Sequence, residues 1–174
     1  MTAFRVLVVC VGNVCRSPLG ELLLTSRLPA SFEVSSAGVS ALVGEPMSPE
    51  AAVHLAPHGL TSEGFLARQL TPAMVAESDL VLTATRAIRS RVLEDSPAAL
   101  RRTFTIRELA ALLDVVPPDS DPRQLVATLA AERSRAVLDD YDVPDPYGRG
   151  EEAHAVAAAT VAEAVERIAS GLTS

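Results

Sequence analysis

The 174-residue chain contains no lysine, no tryptophan and only two cysteines. Two cysteines cannot supply the disulfide framework of a domain this large, so a protein of a reducing compartment is expected. All 15 basic residues are arginine, and with 22 acidic residues the net charge is −7. This balance argues against a general nucleic-acid-binding surface, which would be basic.

Long hydrophobic runs are also absent. The apolar run over residues 6–11 is far too short to span a bilayer, and no signal-peptide pattern is present. We therefore expect a soluble, cytoplasmic protein without a membrane or nucleic-acid partner. Hydrophobic residues still make up 48% of the chain, enough to bury a full core. The length suits one domain, and the proline-rich stretch at residues 117–122 falls too late to leave a second. We predict a single domain over residues 1–174.

Short apolar runs bounded by turn residues alternate along the chain with segments of helical pattern. The runs predict strands over residues 5–9, 32–36, 79–83 and 103–106. Helices are predicted from Ser17-Pro18, from Ser48-Pro49 to about Gly59, after the third strand, and over residues 108–113, 123–137 and 151–168. This alternation indicates a three-layer α/β domain, with a four-stranded parallel sheet and helices on both faces.

The turn after the first strand reads Cys-Val-Gly-Asn-Val-Cys-Arg-Ser over residues 10–17. Ligands of open parallel sheets bind beyond the carboxyl ends of the strands. A loop folded over a helix N-terminus points its backbone N–H groups at an anion, and Gly12 and Asn13 tolerate the positive φ this requires. Arg16 adds a planar fork for two phosphate oxygens. The pattern predicts a phosphate-binding loop.

Cys10 lies where the loop amides and the helix dipole would stabilise a thiolate, which is the nucleophilic form. Ser17 can donate a hydrogen bond to that sulfur, an effect that matters most when the sulfur becomes a leaving group. A cysteine at the end of a buried strand is otherwise an inert small hydrophobe. The position after the first strand, with Gly-Asn inside the loop and Ser-Pro at its end, favours the nucleophile.

The segment Cys-Val-Gly-Asn-Val-Cys-Arg-Ser-Pro resembles the signature loop of the low-molecular-weight protein tyrosine phosphatases, which carry it near the N-terminus. The resemblance predicts a second motif, Asp-Pro-Tyr near the C-terminus, and Asp145-Pro146-Tyr147 matches it. Residues 36–38, 67–70 and 79–82 also match.

The resemblance implies hydrolysis of a phosphoprotein through a phosphocysteine intermediate, with Cys10 as nucleophile and Asp145 as general acid. It implies that Arg16 and the loop hold phosphate or another oxyanion, and that no cofactor or metal takes part. The loop residues carried over as phosphate-binding are Val11, Gly12, Asn13, Val14, Cys15 and Ser17.

Further roles follow from the same resemblance. Ser40 is expected to hydrogen-bond the side chain of Asn13. Cys15 either forms a disulfide with Cys10 that protects the nucleophile from oxidation, or simply packs.

His54 and His58 stand at i, i+4, but Pro57 intervenes and no third ligand is apparent, so we expect no metal there.

The chain also departs from the tyrosine-specific members. Residues 39–44 are aliphatic where those members have an aromatic wall, which leaves Tyr147 as the best stacking candidate. Phe65 replaces a usual histidine, and Gly148 replaces a second tyrosine. These features and the Thr-Phe-Thr segment at residues 103–105 are closer to bacterial protein-arginine phosphatases. Those enzymes, however, tend to carry threonine at the position of Val14. Tyrosine phosphatase is the main prediction and arginine phosphatase the alternative.

Two rival functions share the loop. Thioredoxin-linked arsenate reductases need further cysteines downstream, and this chain has none after Cys15. A binding module without turnover would not need the nucleophile and the acid, yet Cys10, Arg16 and Asp145 are all retained. Neither rival is favoured.

Overall fold

The computed structural model describes residues 2–174, and at its centre lies a sheet of four parallel strands. The strands are β1 (Phe4–Cys10), β2 (Phe32–Gly38), β3 (Leu80–Thr83) and β4 (Thr103–Thr105), in the order β2-β1-β3-β4. The central position of β1 places its carboxyl end between those of β2 and β3. Chain segments that follow these three strands therefore meet at one edge of the sheet, as the α/β prediction required.

Seven α-helices surround this sheet in the described part of the chain. They are α1 (Arg16–Arg27), α2 (Pro49–Ala52), α3 (Pro72–Ala76), α4 (Arg86–Asp95), α5 (Ile106–Leu113), α6 (Pro122–Ala131) and α7 (Glu151–Leu172). Short 3₁₀ segments span Val53–His58, Pro97–Arg102 and Arg133–Arg135. Successive residues of β3 and β4 are all buried, which requires cover on both faces of the sheet. The predicted three-layer α/β architecture is confirmed.

Helix α1 packs between β1 and α7, and Gly20 makes the close approach possible. A Cβ at Gly20 would lie 3.1 Å from Cγ1 of Val8 and 3.9 Å from Cγ1 of Val161. The absence of Glu at this position, where a capping box would place it, thus has a packing reason. Helix α7 also contacts α5, so α1, α7 and α5 form one continuous layer.

Several predicted boundaries differ from the structure. The first helix begins at Arg16, and its N-cap is Cys15 without a side-chain cap, because the Ser17 hydroxyl is used inside the loop. The helix predicted over residues 123–137 ends at Ala131 and is followed by a 3₁₀ turn. The last helix extends to Leu172.

Two local signals explain further differences. A capping box formed by Thr105 and Glu108 starts α5 at Ile106, so β4 is one residue shorter than predicted. The short helix α3 was not predicted, although Thr71 caps it and Pro72 occupies its first position. The end of the second helical region at Gly59, which has φ of 70°, is as predicted. No helix within residues 2–174 is long and apolar enough to cross a membrane.

Candidate active site

The loop between β1 and α1 turns its carbonyl groups outward. The N–H groups of Ser40, Leu42 and Ser48 donate to the carbonyl oxygens of Val11, Gly12 and Val14, at 3.0, 3.0 and 2.8 Å. These bonds attach the loop to the segment that follows β2. They also fix the direction of the loop's peptide planes.

The opposite sides of those peptide planes carry unpaired donors. Within residues 2–174, the backbone N–H groups of Gly12, Val14 and Cys15 have no protein acceptor. The first N–H groups of α1, from Arg16 onward, add the usual unpaired donors of a helix N-terminus. Such an array of inward N–H groups is suited to an oxyanion.

Asn13 holds the loop in this conformation. Its backbone has φ of 57°, the left-handed region predicted for this position, and its side chain is fully buried. Oδ1 accepts the N–H of Arg68 at 2.9 Å, which fixes the orientation of the amide group. Nδ2 therefore faces Ser17 and Ser36, and it donates to their hydroxyl oxygens at 2.8 and 2.9 Å.

The expected partnership between Ser40 and Asn13 is wrong. Ser36 takes that role, because its buried side chain on β2 points toward the loop. Ser40 lies in the turn after β2. Its backbone N–H donates to the carbonyl oxygen of Val11, and Ser40 lines the pocket that contains Cys10. In the sequence, only the match of residues 36–38 to the family points to Ser36.

Gly38 lets the end of β2 approach the loop. A Cβ at this position would lie 2.4 Å from the carbonyl oxygen of Val11 and 3.0 Å from the backbone nitrogen of Asn13. On its other side, Gly38 donates to the carbonyl of Arg68 and accepts from the N–H of Leu70. The two matched segments, residues 36–38 and 67–70, therefore hold the loop in its conformation.

Cys10 lies at the base of the loop, with 2% of its surface exposed. Its Sγ is 2.9 Å from the hydroxyl oxygen of Ser17 and accepts the N–H of Asn13 at 3.3 Å. Because Asn13 already donates to the Ser17 oxygen, the Ser17 hydroxyl hydrogen can point at the sulfur. The Asn13 N–H donates to the sulfur, and the Ser17 hydroxyl is placed to donate to it as well.

A partly buried carboxyl group, that of Glu21, lies at the far end of this hydrogen-bond chain. The Ser36 hydroxyl donates to Glu21, a residue of α1, and the Ser36 carbonyl accepts from Nε of Arg68 at 2.8 Å. Burial raises the pKa of Glu21, which the hydrogen bond from Ser36 and the charge of Arg68 oppose only in part. The sequence did not point to Glu21. Glu21 and Ser36 come together only because α1 packs against β2 in the folded chain.

Arg16 is almost fully buried, with 4% of its surface exposed. Nη1 donates to the carbonyl of Val143 at 2.9 Å, and Nη2 lies 3.6 Å from Oδ2 of Asp145. Its Nε is buried and has no acceptor within residues 2–174. The guanidinium is thus fixed on one side and retains an unpaired donor, as phosphate binding requires.

Asp145 is the aspartate that reaches the pocket. Its side chain is 48% exposed, and Oδ1 accepts the N–H of Tyr147 at 3.2 Å, which orients the carboxyl group. Two nearby aspartates are engaged elsewhere: Asp142 binds Arg86 and Asp140 binds Arg107. Of these three aspartates, only Asp145 is among the residues that line the pocket.

These residues line one pocket of about 150 Å³. Its lining consists of Cys10, Val11, Gly12, Val14, Cys15, Arg16, Ser40, Leu42, Asp145 and Tyr147. Leu42 supplies the aliphatic wall that the sequence predicted, and exposed Tyr147 supplies the aromatic ring in the lining. The structure thus unites residues from opposite ends of the chain.

Cys15 is a buried thiol beside the nucleophile, and both cysteines are free in this structure. Burial raises the pKa of Cys15 to about 11, against a smaller opposite effect of the neighbouring Ser48 hydroxyl. Cys15 therefore stays neutral at physiological pH. A protective disulfide with Cys10 stays a prediction.

The histidine pair does not form part of a larger ligand set. His58 lies in a 3₁₀ segment with its Nδ1 3.1 Å from Nη2 of Arg27. No cluster of three or more metal-binding side chains occurs in the described residues, 2–174.

Comparison with known proteins gives concordant matches. The family described as low molecular weight phosphotyrosine protein phosphatase matches residues 5–122. The low molecular weight protein-tyrosine-phosphatase Wzb of Salmonella typhi is 36% identical over 149 residues, covering 86% of this chain and 80% of that protein.

Solved structures resemble almost the whole chain. The tyrosine phosphatase Wzb from Escherichia coli K30, in complex with sulphate, has a TM-score of 0.75 at 27% identity and covers 97% of this chain and 98% of its own. The YwlE arginine phosphatase from Geobacillus stearothermophilus has a TM-score of 0.76 at 26% identity, covering 96% and 91%. Because the family model matches residues 5–122 and Wzb of Salmonella typhi is 36% identical over most of both chains, this chain belongs to the low molecular weight phosphotyrosine protein phosphatase family.

Proposed function

We propose that this protein hydrolyses phosphotyrosine in proteins, with Cys10, Arg16 and Asp145 as its catalytic residues. The observation that carries the proposal is their convergence: Asp145 lies 3.6 Å from Arg16, which follows the Cys10 loop. The names of the relatives, Wzb among them, support the same substrate class.

In the first step, the Cys10 thiolate attacks phosphorus in line, forming an S–P bond as the P–O bond to the tyrosine oxygen breaks. Protonated Asp145 gives its proton to that oxygen, so tyrosine leaves as a neutral phenol. The unpaired amides of the loop and the guanidinium of Arg16 bind the equatorial oxygens, where charge is concentrated in the transition state.

In the second step, water attacks the phosphocysteine. The Asp145 carboxylate now accepts a proton from the water, and the S–P bond breaks to release inorganic phosphate and the Cys10 thiolate. The Ser17 hydroxyl, 2.9 Å from the sulfur, stabilises the thiolate as it leaves.

The nucleophile is tested by Cys10→Ser, measured with a small aryl phosphate and with phosphate binding. Hydrolysis should fall to background while phosphate binding persists. Full activity in this variant would refute the proposed mechanism. A wild-type protein that binds phosphate without turnover would identify a binding module instead.

The general acid is tested with a matched pair, Asp145→Asn and Asp142→Asn. The first should lower kcat by roughly 10²- to 10⁴-fold for substrates with poor leaving groups, the range of general acid catalysis. The second changes a residue bound to Arg86 and should leave kcat near wild type. Equal effects would assign the acid to another group.

Phosphoarginine is the second candidate substrate. The aliphatic wall at Leu42 and the Gly148 that follows Tyr147 favour it, as does the likeness to the YwlE arginine phosphatase. Val14, which lines the pocket where arginine phosphatases tend to have threonine, favours phosphotyrosine. Kinetics on phosphotyrosine and phosphoarginine versions of one peptide would decide between them, through the ratio of kcat/KM.

The remaining expectations belong to the same proposal. The loop binds phosphate or another oxyanion, a proposal supported by the sulphate bound in the Wzb structure. Residues 1–174 form a single domain, supported by one core cluster that includes both sheet and helix residues. A cytoplasmic location, and the absence of nucleic-acid and membrane partners, stay predictions.

A further inference from the structure

We propose that Glu21 is a positioning residue, which acts on the Cys10 nucleophile through a chain of hydrogen bonds. The chain passes in order through Ser36, Asn13 and Ser17. This inference rests on the proposed phosphatase function and adds a residue that the reaction depends on. Glu21 does not line the phosphate pocket, so it can act on the sulfur only through the residues between them.

The two ends of this chain lie on one turn of α1. Ser17 and Glu21 are four residues apart in the helix, so their side chains project from the same face. That face packs against β2. Glu21 accepts the hydroxyl of Ser36, and the Ser17 hydroxyl lies 3.5 Å from the carbonyl oxygen of Ala37. A single helical turn therefore holds both the sulfur's hydroxyl partner and the terminal carboxyl group.

The side chain of Asn13 determines where the hydrogen atoms of the chain lie. Its Oδ1 accepts the N–H of Arg68 at 2.9 Å, so Nδ2 supplies the two amide hydrogens on the other side. These hydrogens go to the hydroxyl oxygens of Ser36 and Ser17, at 2.9 and 2.8 Å. Each hydroxyl therefore keeps its own hydrogen for a further acceptor. For Ser17 that acceptor is the Cys10 sulfur, at 2.9 Å.

The hydroxyl hydrogen of Ser36 goes to Glu21. Ser36 is 2% exposed, and among residues 2–174 the Glu21 carboxyl group is the one side chain that accepts from it. A buried donor without an acceptor is costly, so a Ser36 hydroxyl that lost Glu21 would turn to find another one. Its oxygen would then no longer face Nδ2 of Asn13. Glu21 thus fixes the direction in which Ser36 faces.

The position of Glu21 is unfavourable for a carboxylate without these partners. Burial raises the pKa of Glu21, and the Ser36 hydroxyl and the charge of Arg68 oppose this effect only in part. Arg68 also donates from Nε to the Ser36 carbonyl at 2.8 Å. A carboxyl group that is partly buried beside specific partners is a candidate for a functional position.

Loss of the Glu21 acceptor would change the contacts of the Cys10 sulfur. With Ser36 turned away, the Asn13 amide would lose one of its two acceptors and could rotate. The Ser17 hydroxyl would then be free to donate to the Ala37 carbonyl instead of the sulfur. Hydrogen bonds to the charged form of a group stabilise that form, so the thiolate would become less stable.

The test measures the rate of Cys10 alkylation by iodoacetamide as a function of pH, together with kcat on a small aryl phosphate. Glu21→Leu removes the acceptor and keeps a side chain of similar size. The midpoint of the alkylation profile should rise by about 0.4–1 pH unit, and kcat should fall by roughly two- to tenfold. Both ranges correspond to the loss of one hydrogen bond.

Two further variants separate positioning from charge. Glu21→Gln keeps an acceptor for Ser36 and should restore most of what Glu21→Leu loses. If Glu21 acted only as a nearby negative charge, both variants would instead lower the alkylation midpoint. Glu33→Leu removes an exposed carboxylate near the opposite end of β2, where it pairs with Arg5, and should match wild type in both measurements.

A double-mutant cycle tests the route of the effect. Because Glu21 acts through Ser36, Glu21→Leu should change neither measurement further when Ser36→Ala is already present. Full additivity of the two substitutions would show that Glu21 acts by another route and would overturn the proposal.

Thermal unfolding establishes that each variant is folded, and Glu21→Ala replaces Glu21→Leu if the leucine variant is not. A folded variant without the acceptor that keeps the wild-type alkylation midpoint, or lowers it, would overturn the positioning role. Alkylation requires no turnover. A wild-type protein with the expected alkylation behaviour but no hydrolysis of aryl phosphate or phosphopeptides would therefore overturn the proposed function alone.

Discussion

We expect the Ser17 hydroxyl to control how easily the Cys10 sulfur can leave. It lies 2.9 Å from Sγ, and Asn13 donates to its oxygen, so its hydrogen can point at the sulfur. Hydrogen bonds to charged groups contribute about 1.5–3 kcal/mol, so Ser17→Ala should lower kcat by roughly 10- to 100-fold. Because the second step needs the thiolate most, the phosphocysteine should accumulate and product release should show an initial burst.

Ser35→Ala is the matched control for that experiment. Ser35 precedes Ser36 on β2, and successive side chains of a strand point to opposite faces of the sheet, so its loss should leave kcat near wild type. A Ser17→Ala enzyme that slows without a burst would show that the hydroxyl acts on the first step instead.

The contribution of Cys15 to stability should depend on pH only in alkaline solution. Its pKa rises from 9.0 to about 11 on folding because the thiol is buried. A raised pKa means that the folded state favours the neutral thiol, so the associated stability is fully present below pH 9. It is lost as pH rises from 9 through 11.

The comparison of wild type with Cys15→Ala isolates this effect. The difference in their free energies of unfolding, measured by denaturant titration, should be constant from pH 7 to 8 and should shrink toward pH 11. A difference independent of pH throughout would contradict the buried-thiol assignment. Alkylation at neutral pH should accordingly modify Cys10 before Cys15.

At the scale of elements, the loop depends on the close approach of β2. In Gly38→Ala, the new Cβ would lie 2.4 Å from the carbonyl oxygen of Val11, so the strand end or the loop must move. We expect a loss of about 1–3 kcal/mol in stability, typical of overpacking, together with a large loss of activity. Thermal unfolding and aryl phosphate hydrolysis measure the two effects.

Gly12→Ala provides the contrast in stability. A Cβ at Gly12 would meet only Val14 and Leu42, at ordinary contact distances of 3.5 and 3.9 Å. Its unfolding temperature should therefore stay close to wild type. If both variants lost equal stability, the clash at Gly38 would not be the cause.

The sequence predicted the elements whose signals are local. The strand before Cys10, the positive φ of Asn13 and the helix after the loop follow from neighbouring residues, and all are present. The alternation of strand and helix patterns along the chain predicted the α/β fold. Asp145 was located by the Pro-Tyr sequence that follows it and by its position relative to the Cys10 loop.

Contacts that depend on the parallel register could not be read from the chain. Ser36 rather than Ser40 bonds Asn13, because β2 aligns beside β1 and directs Ser36 inward. Glu21 and Arg68 join the same network from distant segments. The apolar pattern predicted the start of α5 two residues too late, at residue 108, whereas the capping box starts it at Ile106.

At the scale of the whole molecule, Val143 connects the acid to the loop. It is fully buried, its N–H donates to the Ala84 carbonyl at the end of β3, and its carbonyl accepts from Arg16. The segment that carries Asp145 is thereby attached both to the sheet and to the phosphate-binding arginine. Both attachments hold this segment where Asp145 lines the pocket.

Phosphate should therefore stabilise the whole fold. A ligand at one hundred times its dissociation constant adds about 2.7 kcal/mol, which corresponds to roughly 5–10 °C in unfolding temperature for a domain of this size. Arg16→Lys keeps the charge but loses the planar fork, so the shift should largely disappear. Asp145→Asn removes a negative charge 3.6 Å from Arg16 and should increase the shift.

Chloride at the same ionic strength is the control for screening. A shift of equal size in all three proteins would place the bound phosphate outside the loop, because only there would neither Arg16 nor Asp145 affect its binding.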